Sequence, residues 1–176
     1  MFFKKFFKKK KESRISIGLT DLMPGDMVDF DMKTWEVTAR HKYDWEGDIT
    51  LEWQIKSSDD MLFIALEDSE SSEFSMSRKI SNSEIDNSVF KYISENDDAP
   101  QTIRYNNDEF SLDEISSGYF YENSEGEGAP LISYDYTSSS GENFLSIEQW
   151  GEKSFEVFIS NEVFEYQFTN FLPGSE

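Results

Sequence analysis

With 176 residues, of which 37% are hydrophobic, the chain can bury one core or two small ones, and 16 Phe, eight Tyr and four Trp favour the pleated, half-buried surfaces of sheet. Its formal charge of -20 is uneven: residues 1–14 hold seven Lys or Arg and one Glu, so the remaining 162 carry -26 and repel polyanions, which excludes nucleic acid as a partner. The absence of cysteine excludes disulfides, thiolate metal sites and cysteine nucleophiles and points to a reducing compartment.

The first element, residues 1–14, is a basic amphipathic tail. At about 100° per residue, Phe2, Phe3, Phe6 and Phe7 fall on one helical face, with Lys4, Lys5, Lys8 and Lys9 filling most of the rest. This is the pattern of a short helix lying on an anionic membrane surface; the alternative is a solvated arm folded back on the acidic body. No run reaches the roughly 18 apolar residues of a membrane span, and Lys interrupts the Phe pairs where a signal peptide would be unbroken. The expectation is a cytoplasmic protein, peripheral at the inner face of the cell membrane.

Ile15 and Ile17 open the ordered body, and Pro24-Gly25 turns the chain into a hairpin at Met27 to Val37. Thr102 to Leu112 echoes that hairpin, with polar turns at Asp31 to Lys33 and Asn106 to Asp108. Strands are predicted at Thr38 to Tyr43, Ile49 to Ile55, Met61 to Glu67 and Phe74 to Ile80, with Leu51, Trp53 and Ile55 on one face. Ser81 to Glu84 matches a capping box and predicts a helix carrying Ile85, Val89, Tyr92 and Ile93, ended by the acidic run before Pro100. After it the pattern repeats at Gly118 to Glu122, Leu131 to Tyr136, Phe144 to Trp150 and Phe155 to Ile159, so that Trp53 matches Tyr134 and Phe74 matches Phe155. The reading is mainly all-β: two tandem, similar small antiparallel barrels or strongly twisted sheets, at residues 15–99 (with the linking helix) and 100–176. Trp35, Trp53, Phe63, Phe110, Tyr134 and Leu145 form the predicted core.

The runs PGDMVDFDMKTWEVTARHKYDW from Pro24, ITLEWQI from Ile49, SSGYFY from Ser116 and FLSIEQWGEKSFEV from Phe144 resemble the bacterial family catalogued as domain of unknown function 4178, from Leu22 to Pro173. Ser146 to Glu152 is the family's most characteristic run, and many members begin with a similar Phe- and Lys-containing stretch. Family genes often sit near those for phage-shock-like coiled-coil proteins and small membrane proteins, so the resemblance implies a membrane-stress accessory role. It carries over no catalytic residue.

His41 is the single histidine, so any Ser-His-Asp triad must run through it and a multi-His metal site is excluded; between Arg40 and Lys42 on a strand it reads first as an ordinary strand or interface histidine. Asp26, Asp29 and Asp31 hint at a hard cation but lack the spacing of a calcium loop, which leaves them as a solvated strand face. Glu148 and Glu152 flank Trp150; carboxylates beside an aromatic can act as acid and base or hold a cation or sugar, or simply solvate a strand. Glu67 is the approximate first-half counterpart of Glu148. The glycine loop before Pro130 lacks the Lys and Ser or Thr of a phosphate cradle. The functional expectation is a non-enzymatic binding or scaffold protein with a protein partner, no metal and no cofactor. The alternative is a hydrolase or small-ligand-binding enzyme, with Glu148, Trp150, Glu152 and His41 lining a site between the halves.

Overall fold

Alternating apolar and polar residues, punctuated every eight to twelve positions by Gly, Asn, Asp and Ser, leave the chain little choice but strands joined by tight turns. The computed structural model describes residues 17–68, 70 and 72–175; the predicted tail helix lies outside them. The strands are β1 (Met27–Phe30), β2 (Lys33–Trp45), β3 (Asp48–Lys56), β4 (Met61–Asp68), β5 (Glu73–Ile80), β6 (Thr102–Tyr105), β7 (Asp108–Tyr121), β8 (Ala129–Ser138), β9 (Asn143–Gly151), β10 (Ser154–Val163) and β11 (Phe168–Leu172), with one α-helix, α1 (Asn87–Asn96). The all-β reading holds. All eleven strands join in a single sheet in the order β11-β1-β2-β3-β4-β5-β10-β9-β8-β7-β6, every pairing antiparallel.

The two echoed hairpins turn in the same way. Asp31 and Met32 (φ 49° and 58°) connect β1 to β2, and Asn106 and Asn107 (φ 49° and 64°) connect β6 to β7, the doubly left-handed turn that matches strand twist. β2 and β7 are the long strands, and each carries a bulge five residues into the strand, where the register shifts between Val37 and Ala39 and between Leu112 and Glu114. A bulge adds bend and twist. It lets β7 run on as one 14-residue strand, where the sequence suggested two separate pieces.

The bend also lets the far end of β2 meet the far end of β7, through Lys42↔Tyr121, Tyr43↔Phe120 and Asp44↔Tyr119. This short seam closes β2-β3-β4-β5-β10-β9-β8-β7 into a ring of eight strands. Gly118 allows the approach: a Cβ there would lie 2.5 Å from the Asp44 carbonyl oxygen and 2.6 Å from the Trp45 ring.

Two apolar cores occupy the sheet face opposite the ring interior. Trp35, Val37, Trp53, Ile55, Ile64 and Phe74 build the first, which Leu19, Leu22 and Phe168 complete; the second joins Phe110, Tyr134, Leu145, Ile147 and Val157 to Val89, Phe90 and Ile93 of α1. Of the predicted core, Trp35, Trp53, Phe110, Tyr134 and Leu145 are buried, but Phe63 is only half-buried. Leu62, Ile64 and Leu66 take the core phase of β4, so the period of two turns Phe63 to the other face, where its ring meets Phe158 edge-on at 5.7 Å. The predicted capping box is formed, but it opens a 3-10 turn at Asn82–Glu84. Asp86 caps α1 itself by accepting from Ser88 N at 2.8 Å, and left-handed Asp97 ends it; Phe90, not Tyr92, supplies the buried aromatic.

Candidate functional site

Residues directly opposite on neighbouring strands share a face, so register alone assigns the ring interior. One row reads His41, Glu52, Ala65, Ser75 and Glu162 from β2 across to β10. Another reads Lys79, Phe158, Ser146, Asp135 and Glu114, and a third Glu156, Glu148, Ser133 and Ser116. The interior is therefore polar and acidic.

A buried pair lies near where the seam closes. Tyr43 Oη donates to Glu148 Oε1 at 3.3 Å, bridging β2 and β9. The Phe120 ring lies 5.0 Å from those of Tyr43 and His41, and Trp150 meets it edge-on at 5.5 Å. Glu148 is 8% exposed, and its Oε2, like the buried Trp150 Nε1, finds no hydrogen-bond partner among the described residues. Leaving a buried polar atom unpaired costs about 1–3 kcal/mol, so the fold tolerates here what it satisfies elsewhere.

Electrostatics agree. Burial, then repulsion from Glu148 and Glu156, pushes Glu52 up to about 8; its residue keeps some exposed surface, but the carboxyl is desolvated. Burial, then Glu156, also raises Glu148 to about 8, against the hydrogen bond from Tyr43. Burial and the acidic neighbours Glu52 and Glu148 hold the Tyr43 phenol well above its usual range. Lys79 pairs with Glu156 at 2.8 Å. Two residues further along β4 and β8, Glu67 and Asp135 form a second acidic layer with Glu114; burial raises Asp135, although Ser133 and Ser146 donate to it at 2.9 and 2.6 Å.

The structure brings His41, Glu148 and Trp150 together. Glu152 stands apart, exposed in the turn between β9 and β10, where its carbonyl accepts from Ser94 Oγ at 2.8 Å. His41 Nδ1 accepts the Asn123 N–H, and burial lowers its pKa. Tyr43, Glu52, Glu156 and Asp135 join a site that the sequence reading did not assign them; the alternating phase of β3 marked Glu52 as opposite Trp53, but nothing local marked that face as enclosed. The three N-terminal aspartates do not converge. Asp26 accepts from Met23 N and Gly174 N at 2.8 and 2.9 Å, Asp29 from Thr34 Oγ1 and Asn170 Nδ2 at 2.6 and 2.8 Å, and Asp31 lies in the first hairpin turn. Among the described residues no group of three or more His, Cys, Asp or Glu is arranged to hold a metal ion, and no helix is long and apolar enough to cross a membrane.

This arrangement of ring, seam and acidic interior falls within the region matched by one family, described as a domain of unknown function (DUF4178), whose sequence model covers residues 23–165. The chain belongs to that family. An uncharacterized protein of Aquifex aeolicus (strain VF5) is 26% identical over 171 residues, covering 97% of this chain and 94% of that protein. No solved structure matches the chain.

Proposed function

We propose that the protein is a non-enzymatic binding protein whose ligand site is the carboxylate and aromatic interior of the ring. The observation that carries this reading is Glu148, buried beside Trp150 with one carboxyl oxygen unpaired. The alternative, a hydrolase built on the same residues, needs one carboxyl as acid and another as base; burial raises Glu52 and Glu148 alike, so nothing in their surroundings divides those two roles between them.

The site sits between two halves, residues 15–99 and 100–176, that we read as strongly twisted sheets descended from one duplicated unit, which share one closed ring in place of two separate barrels. Matching hairpin turns, matching bulges and the same sequential strand order on either side of the β5–β10 junction support this. Pairing Trp53↔Ile64 with Tyr134↔Ile147 makes Ala65, not Glu67, the counterpart of Glu148, so the two halves contribute unlike groups. The segregation of seven basic residues into positions 1–14 supports a second role, in which the tail holds the protein at the inner face of the cell membrane, beside a protein partner in a stress response.

The binding reading is tested by titrating isotope-labelled protein with a mixed library of small amines, sugars and carboxylates while following the Trp150 indole N–H by NMR. Ligands that shift this resonance support the site. If only residues on the open edge strands β6 and β11 respond, and only to added protein, the scaffold role replaces it.

A further inference from the structure

We infer that the ring interior receives a primary alkylammonium group, carried by a small amine or by a lysine side chain. The inference rests on the binding reading above and names its ligand class.

Charge comes first. The titratable groups on this face are His41 and Tyr43 from β2, Glu52 from β3, Glu67 from β4, Glu73 and Lys79 from β5, Glu109, Asp113 and Glu114 from β7, Asp135 from β8, Glu148 from β9, and Glu156 and Glu162 from β10. His41, Tyr43 and Glu148 are buried, whereas Glu67, Glu73, Lys79, Glu109, Asp113, Glu114 and Glu162 lie exposed toward its rims. Lys79 is engaged by Glu156. Carboxyls outnumber cations on this face, so an ionised interior calls for a positive guest.

Geometry narrows the choice. Glu148 Oε2 is a buried oxygen facing the enclosure without a donor, and Glu52 and Glu156 are its acidic neighbours. An ammonium carries three N–H donors and one charge, so it can donate to Glu148 Oε2 while its charge offsets carboxylates that lie near without converging on it. The rings of Tyr43, Phe120 and Trp150 pack on the same face as Glu148, and aromatic faces attract cations. A metal ion fits less well, because the described acids do not converge as ligands. A quaternary ammonium would enjoy the rings but leave Oε2 unpaired. The second acidic layer, Glu67 and Asp135, lies two residues along its strands from the first, about 7 Å at strand rise. A second ammonium at that spacing would find partners there.

Binding must displace protons, because Glu52 and Glu148 hold theirs up to about pH 8. Affinity therefore rises with pH from 6 to 9.

The test is calorimetric titration of the full chain with n-butylammonium, 1,4-diaminobutane and N-acetyl-lysine methylamide, with tetramethylammonium as control. We expect the amines to bind with proton release, read from the difference between two buffers, and tetramethylammonium to bind about ten-fold more weakly or not at all. Glu148→Gln should weaken amine binding about ten-fold, as should Glu52→Gln, which serves if the first variant fails to fold. Glu95→Gln, on the exposed surface of α1 beside Lys91, should leave it unchanged. Tighter binding of the diamine assigns a small amine; tighter binding of the lysine compound assigns a side chain. Amine binding indifferent to both interior variants would reduce it to counter-ions gathered by an acidic surface and overturn the inference. If no amine binds while other compounds shift the Trp150 indole, the ligand class is wrong and the site stands; if nothing shifts it, both fall.

Discussion

His41 Nδ1 accepts the backbone N–H of Asn123 at 3.0 Å, fastening β2 to the turn that follows β7, 82 residues away in sequence. The bond lies beside the three-pair seam that closes the ring, so it contributes where the ring's own ladder is shortest. His41→Leu removes the acceptor and should cost about 1–3 kcal/mol in chemical denaturation. Faster amide exchange at Asn123 than at Ile64 would locate the loss at the seam. Protonated Nδ1 cannot accept, and burial depresses the folded pKa of His41; its contribution is therefore present above about 6.5 and lost as pH falls through the lower folded value.

Glu52 and Glu148 act in the opposite sense. Their folded pKa values, about 8, lie above the ordinary carboxylate value, so between about 4.5 and 8 the native state holds protons that the unfolded chain has released. Stability should fall as pH rises through that window, by up to about 1.4 kcal/mol per pH unit for each group. From 6.5 to 8, where the His41 contribution is complete and constant, the slope belongs to the raised carboxyls, Glu52 and Glu148 foremost. Glu148→Gln should flatten it in urea melts, and an unchanged slope would remove Glu148 from the account.

Trp53 is fully buried, and its indole donates to the Leu22 carbonyl at 2.9 Å. Trp53→Ala should cost about 3–5 kcal/mol, the range for truncating a large buried aromatic. Trp53→Phe separates the terms, since it restores most of the volume but leaves the carbonyl unpaired. A denaturation midpoint that does not move in either variant would contradict the packing of the first core.

For the tail, the full chain should sediment with vesicles containing anionic lipid, and deleting residues 1–12 should abolish this. Added salt should weaken the interaction by screening the lysines. Replacing Phe2, Phe3, Phe6 and Phe7 together by Ala should reduce binding even at low salt if the rings insert. Equal sedimentation of full and truncated chains would remove the membrane role.

What could be read from the residues was whatever a single strand or turn determines. Trp53 announces its face through Leu51 and Ile55, the two hairpins through their polar turns, and the helix stop through Asp97 and Pro100. Glu52 could not be recognised in the same way, because its significance comes from Glu148 and Glu156, which ring closure brings against it. Glu148 was singled out for its place beside Trp150, but local sequence could not tell a solvated strand from an enclosed one. β11 escaped notice because its five residues acquire strand geometry only by pairing with β1. Phe63 was misplaced by a phase error of one residue, the smallest slip a strand allows and the one that reverses its face.

The first meander has strands from the end of the chain along both its flanks: β11 on β1, through Met27↔Leu172, and β10 on β5, through Ile80↔Val157. During synthesis, therefore, β1 to β5 leave the ribosome with two bare edges, which are templates for wrong partners until β10 and β11 emerge. Such distant pairings also form slowly. A chain stalled on the ribosome after Gly151 should be cut readily by protease within β1 to β5, whereas the released protein should resist, and equal resistance would show that the first meander completes itself alone. The hazardous interval for this protein is translation, and the two strands that end it are made only after β6 to β9.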